Sequence, residues 1–237
     1  MTNIVAVASR KGGVGKSTTA YELAWQLGAV LVDFEWDGGG VTRKWGYRHE
    51  ERVAAPLMTA LERGKTPRPL KGFHKPDLVP GTPLLLDGQL NADDTADALS
   101  KWASEWGRDW VVVDTHPGAS SAAHGAMAVA NLILVPCGLR TDDLNGTEEL
   151  VKDMADWPLA IVPNFVPRIP PAAEIQRLSR IVDSTPVQVA APIPFVTSIG
   201  TRKKRVAMGS EDPPPKALRN AVAAFQALGT FTREYVR

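Results

Sequence analysis

A doubly wound, mostly parallel α/β sheet flanked by helices is the fold class predicted for this chain. Three observations predict it. Short runs rich in β-branched residues recur along the 237 residues, and helix-spaced apolar patterns separate them. The first run leads directly into a glycine-rich loop that opens a helix. The length suits one α/β domain, expected over residues 1–237. Hydrophobic residues at 44% and charged residues at 22% exclude a disordered chain.

Residues 4–8, 30–34, 111–113, 132–135, 159–162 and 187–190 are short apolar runs of the kind that suits strands buried on both faces; residues 84–86 form a weaker one. Between them, Ala20, Leu23, Ala24 and Leu27 fall at i, i+3, i+4 and i+7. Leu99, Trp102, Ala103 and Trp106 do the same, behind a cap expected at Asp93 or Asp94. Ile175, Leu178, Ile181 and Val182 line a third helical stripe, and Leu218, Ala221, Val222 and Phe225 a fourth. Residues 65–83 hold five prolines and two glycines and read as an exposed loop; residues 210–215, with three consecutive prolines, read as a second.

Charge and cysteine content exclude several functions. Lys plus Arg (27) against Asp plus Glu (26) leaves +1, which excludes a strongly basic nucleic-acid binder but allows a local basic patch. The single cysteine, Cys137, excludes an internal disulfide, a Cys-x-x-Cys zinc site and a four-cysteine cluster; it reads as a packing residue in a reducing cytoplasm. No run approaches the roughly 20 apolar residues that a bilayer requires. Arg10 and Lys11 follow the first apolar run, the reverse of a secretion signal.

Lys11-Gly12-Gly13-Val14-Gly15-Lys16-Ser17-Thr18 is the most informative stretch. Its glycines let the backbone turn tightly, so that several N–H groups converge on phosphate oxygens at a helix N-terminus. Lys16 is placed to reach terminal phosphates and Ser17 to ligate Mg²⁺. A strict Walker A pattern needs glycine where Arg10 stands, and here a second lysine, Lys11, opens the loop instead. Asp114 closes an apolar strand at its C-terminal end, where open α/β sheets bind ligands. Asp33, Glu35 and Asp37 follow the second strand in the same way, with Trp36 among them and three glycines, 38–40, behind.

This loop resembles the deviant Walker A motif of the ParA/MinD family of P-loop ATPases, and the small stand-alone ParA partition proteins most of all. The resemblance implies a P-loop nucleotide-hydrolase fold that binds ATP or ADP with Mg²⁺ through residues 12–18 (Gly12, Gly13, Val14, Gly15, Lys16, Ser17 and Thr18). It implies that Lys11 reaches the partner's ATP across a nucleotide-sandwich homodimer, and that Ser17, Asp33 and Asp114 serve the metal. The family's water-positioning acid falls at Glu35, a departure from aspartate, with Asp37 as the other candidate; Trp36 and His116 stand where the family has proline. Residues 132–135, Pro136 and a helix from 142 resemble the segment behind the family's switch region.

Asn164 and Pro194 are loose matches to the family's adenine pocket. The basic run Arg202-Lys203-Lys204-Arg205, with Arg168, is the candidate surface for nonspecific DNA, contacting phosphates without reading bases. The resemblance further implies a ParB-like centromere-binding adaptor that stimulates hydrolysis, and a cytoplasmic, nucleoid-associated location. No N-terminal helix-turn-helix domain is expected. Membrane attachment is not expected either, because residues 220–237 offer few cations beside their apolar positions. A MinD-like membrane-positioning ATPase, or a metabolic ATP-dependent ligase or kinase on the same fold, is the alternative.

Overall fold

The computed structural model describes residues 1–37, 40–48, 55–86, 90–118, 120–183 and 185–237. Two of the three glycines behind Asp37, at 38 and 39, lie outside the described residues. Seven strands form one sheet in the order β3-β2-β4-β1-β5-β6-β7, and each neighbouring pair is parallel. The strands are β1 (Asn3–Val7), β2 (Val30–Asp33), β3 (Asp77–Val79), β4 (Trp110–Asp114), β5 (Leu132–Gly138), β6 (Leu159–Asn164) and β7 (Gln188–Val189). Helices α1 (Lys16–Leu27), α2 (Val41–Trp45), α3 (Pro56–Glu62), α4 (Ala92–Trp106) and α5 (Ser121–Ala128) come first in chain order. Helices α6 (Thr141–Met154), α7 (Ala172–Val182), α8 (Thr197–Gly200) and α9 (Arg219–Tyr235) follow.

Alternation along each strand divides the core. Val5, Val7, Leu31 and Val112 point toward α1 and α9, while Ile4, Val30, Val32, Val111 and Val113 point toward α3, α4 and α5. Ala6, Ile133, Val135 and Ile161 meet α6 and α7. Both faces are covered, which is why these strands read as unbroken apolar runs. Cys137 is fully buried on the α6 side, and burial pushes its thiol up to about 11, so it is an inert packing residue.

Two expectations about the third strand are corrected. Residues 84–86 are not a strand: Pro83–Leu85 is a 3₁₀ turn whose start is capped by the Thr82 hydroxyl, which accepts from the Leu84 N–H. Leu84 and Leu86 are exposed and only Leu85 reaches the core, so the run is not covered on both faces as a buried strand is. The strand lies instead inside the proline-rich segment read as loop, at Asp77–Val79, paired to β2 and bridged to Leu70. Pro76 and Pro80 only bracket it, and such flanking positions are the ones a sheet tolerates. A third correction concerns α4, which is capped by Asn91: its Oδ1 accepts from Asp94 N–H at 2.6 Å, and Asp93 and Asp94 occupy the first turn. Helices α2, α3 and α5 are too short or too alanine-rich to show a helical stripe in sequence.

Candidate functional site

The phosphate loop leaves the C-terminal end of β1 and enters α1 at the centre of the sheet. Gly13 and Gly15 have φ of 82° and 92°, the left-handed conformation that lets successive N–H groups face one concavity. Among the described residues no side chain caps the start of α1, which leaves its first N–H groups for an anion.

A distant residue braces this loop. Asn164, buried at the end of β6, donates from Nδ2 to the Val14 carbonyl at 2.9 Å, and its Oδ1 accepts from Phe165 N–H at 2.9 Å. The resemblance placed Asn164 beside an adenine ring; here both ends of its amide are engaged within the chain. Pro194 bridges to Val166 next door. A Cβ on Gly15 would fall 2.2 Å from Asn164 Nδ2 and 3.0 Å from the Phe165 ring. Gly15→Ala therefore combines a left-handed φ with displacement of the brace, about 1–3 kcal/mol of strain. A fluorescent ATP analogue should bind this variant roughly ten- to a hundred-fold more weakly. Unchanged affinity would mean that the loop is not what holds it.

The charged groups of the loop face the sheet edge. Lys16 is only 5% exposed, and the Ser17 hydroxyl points toward Glu35, 3.5 Å from Oε2. Asp114 is fully buried at the end of β4, and among the described residues neither carboxylate oxygen has a well-formed hydrogen bond. Burial holds its pKa well above the usual carboxylate range, the negative charge of Asp33 adds to this, and Lys16 and the Ser17 hydroxyl oppose it. A buried, unsatisfied carboxylate beside a serine hydroxyl and a lysine fits a hard divalent cation such as Mg²⁺.

Asp33 pairs in register with Asp114 but has a different job. Its Oδ1 accepts from Glu35 N–H at 2.9 Å and its Oδ2 from Thr42 N–H at 2.8 Å. Burial raises its pKa as well. Both Asp33 oxygens are thus engaged by backbone N–H groups, at 35 and 42, while among the described residues those of Asp114 are unpartnered. Glu35 is thereby held facing Ser17. Asp37 is exposed, with Oδ2 4.0 Å from His116 Nδ1.

Lys11 turns away from its own loop. Its Nζ lies 3.2 Å from Asp142 Oδ2 and 3.5 Å from Asp143 Oδ1 at the first turn of α6, and it is 42% exposed. Arg10 pairs with Glu149 and Asp153 on the same helix. The acidic face of α6 was not among the expected partners of these two cations, although two aspartates at a helix start are a readable signal.

The basic run is split by its environment. Arg202 is turned inward and, with Lys204, is paired to Glu211. Lys203, Lys204 and Arg205 are exposed, as is Arg168. The segment is anchored to α1: Tyr21 Oη donates to the Arg205 carbonyl at 3.1 Å, and Glu22 accepts from Met208 N–H at 2.9 Å.

Burial pushes Glu22 up to about 7, with Lys44 and Arg202 facing it and pulling the other way. A carboxyl raised in the folded state costs nothing below its ordinary pKa of 4.5 and destabilises increasingly as pH rises to about 7. Glu22→Gln should match wild type in melting temperature at pH 4.5. At pH 8 it should be more stable, by on the order of 3 kcal/mol. Equal pH dependence in the two proteins would refute the burial argument.

A glycine-rich loop between the central parallel strand and its helix, with a buried lysine and an unsatisfied aspartate at the next strand end, defines a P-loop nucleotide-binding α/β fold. No protein-family model matches the chain. In sequence it is 32% identical over 157 residues to the chromosome-partitioning ATPase Soj of Thermus thermophilus, a match covering 64% of this chain and 61% of that protein. In structure it superposes on an ATP complex of a McdA variant from Cyanothece with TM-score 0.78 at 17% identity, covering 96% of each chain. It also superposes on the cell division ATPase MinD of Pyrococcus furiosus with TM-score 0.77 at 19% identity, covering 99% of each. The chain thus resembles ParA/MinD-type P-loop ATPases in both sequence and fold, in agreement with its phosphate loop, and its match spans less than two thirds of the length of the Thermus relative.

Proposed function

We propose that this chain is a ParA-like partition ATPase that binds Mg-ATP, dimerises around it, and holds nonspecific DNA until an adaptor stimulates hydrolysis. The observation that carries this reading is the opposite disposition of the two loop lysines: Lys16 is buried toward the sheet edge, and Lys11 is exposed and directed away from the loop. This difference supports assigning Lys16 to the chain's own phosphates and Lys11 to a facing subunit.

Each residue then has a definable task. The N–H groups of residues 12–17 and the Lys16 ammonium hold the phosphates and stabilise charge as it develops on the transferred group. Mg²⁺, when bound by Ser17 and Asp114, would neutralise phosphate charge. Glu35, fixed through its own N–H by Asp33, orients water; one methylene longer than aspartate, it spans more distance from the same backbone position. Asp37 is exposed and lacks such fixing. Among the described residues no helix is long and apolar enough to cross a membrane.

The exposed cations at 168 and 203–205 supply phosphate contacts, and dimerisation doubles them. A titration of nonspecific duplex DNA should show tight binding with Mg-ATP and weak binding with ADP or no nucleotide, with a steep loss at higher salt. Lys203→Ala should lower the salt slope by about 0.9 for each phosphate that the side chain no longer neutralises. DNA binding that ignores nucleotide would contradict the partition reading.

A further inference from the structure

Two loops that leave neighbouring strands converge beside the phosphate loop. Residues 34–37 follow β2 and residues 115–118 follow β4, and these strands are in register at Asp33 and Asp114. Glu35 and Asp37 come from the first loop and His116 from the second. One ligand-type atom from each lies within 4.8 Å of the other two.

The spacing is informative. His116 Nδ1 and Asp37 Oδ2 are 4.0 Å apart, too far for a hydrogen bond. Two ligands about 2.1 Å from one ion are roughly 3–4.2 Å apart, so this pair lies at the wide end of what one cation can bridge. Nδ1 of His116, the atom nearest Asp37, is itself buried and, among the described residues, has no hydrogen-bond partner. Trp36 stacks on the imidazole at 3.6 Å and 14°, which fixes the ring orientation.

We infer that Glu35, Asp37 and His116 form a three-residue site for a divalent transition-metal ion, separate from the Ser17 and Asp114 pair and independent of nucleotide. One imidazole and two carboxylates suit Zn²⁺, Mn²⁺ or Co²⁺, whereas Mg²⁺ and Ca²⁺ favour all-oxygen shells. A bound ion would tie the β2 loop to the β4 loop and fix Glu35, whose other neighbour is Ser17. Trp36 and His116, the two departures from the family's prolines, thereby acquire one shared purpose.

The test uses the full chain without nucleotide, stripped with chelator and titrated with Co²⁺, read by visible absorption and by calorimetry. One ion per chain is expected. His116→Gln and Asp37→Asn should each weaken it at least about tenfold, since loss of a direct ligand costs no less than loss of an outer-shell partner. Ser17→Ala and Asp114→Asn should leave it unchanged, which separates this site from the phosphate-loop site and from any failure of the ATPase reading. Far-UV circular dichroism checks that each variant is folded, and the exposed Asp37 provides the variant least able to disturb the core. Absence of saturable Co²⁺ binding would overturn the inference. So would binding that survives His116→Gln, or binding lost equally in Ser17→Ala.

Discussion

Lys16→Ala is expected to reduce ATP affinity and phosphate release together by roughly a hundred- to a thousand-fold. The side chain is 5% exposed, so its ammonium meets phosphate with little competing water. Truncating one partner of a desolvated, hydrogen-bonded charge pair costs about 2–5 kcal/mol. The fold should survive, because the left-handed glycines of the loop and the Asn164 bond to Val14 do not involve the Lys16 side chain. Steady-state phosphate release and a fluorescent nucleotide titration measure both losses. A variant that kept wild-type affinity would place the nucleotide elsewhere.

The second large effect is on assembly. Lys11→Ala is expected to abolish ATP-dependent dimerisation while leaving ATP affinity within a few-fold of wild type. Lys11 is 42% exposed and its closer pair, with the exposed Asp142, is worth about 0–1 kcal/mol, so the monomer loses little with the change. Light scattering with Mg-ATP should report a monomer. A dimer of wild-type strength would show that Lys11 does not act across subunits.

These two predictions rest on residues that were legible in the sequence. The phosphate loop has a local signature, since its spacing, its preceding strand and its following helix are all contiguous. The buried strands were legible for a related reason, because a strand covered on both faces has no polar alternation to confuse with a loop. The errors arose where tertiary context decides. Residues 84–86 look like a strand, but Leu84 and Leu86 are exposed while only Leu85 is buried, and the true edge strand lies between two prolines. Asn164 lies 150 residues from the Val14 carbonyl it holds, so no local pattern reveals the brace. The two backbone bonds of Asp33, to Glu35 N–H and Thr42 N–H, are likewise set by the fold and not by a local pattern. The inward turn of Arg202 depends on Glu211, and a run of four cations gives no hint of it.

Calorimetric titration of the full chain with ATP, with and without Mg²⁺, tests the central claim most directly. One ATP per chain, bound in the micromolar range or tighter (about −8 kcal/mol) and weakened when Mg²⁺ is chelated, is the predicted result. Absence of saturable binding up to about millimolar ATP would contradict the assignment of residues 11–18 as a triphosphate cradle.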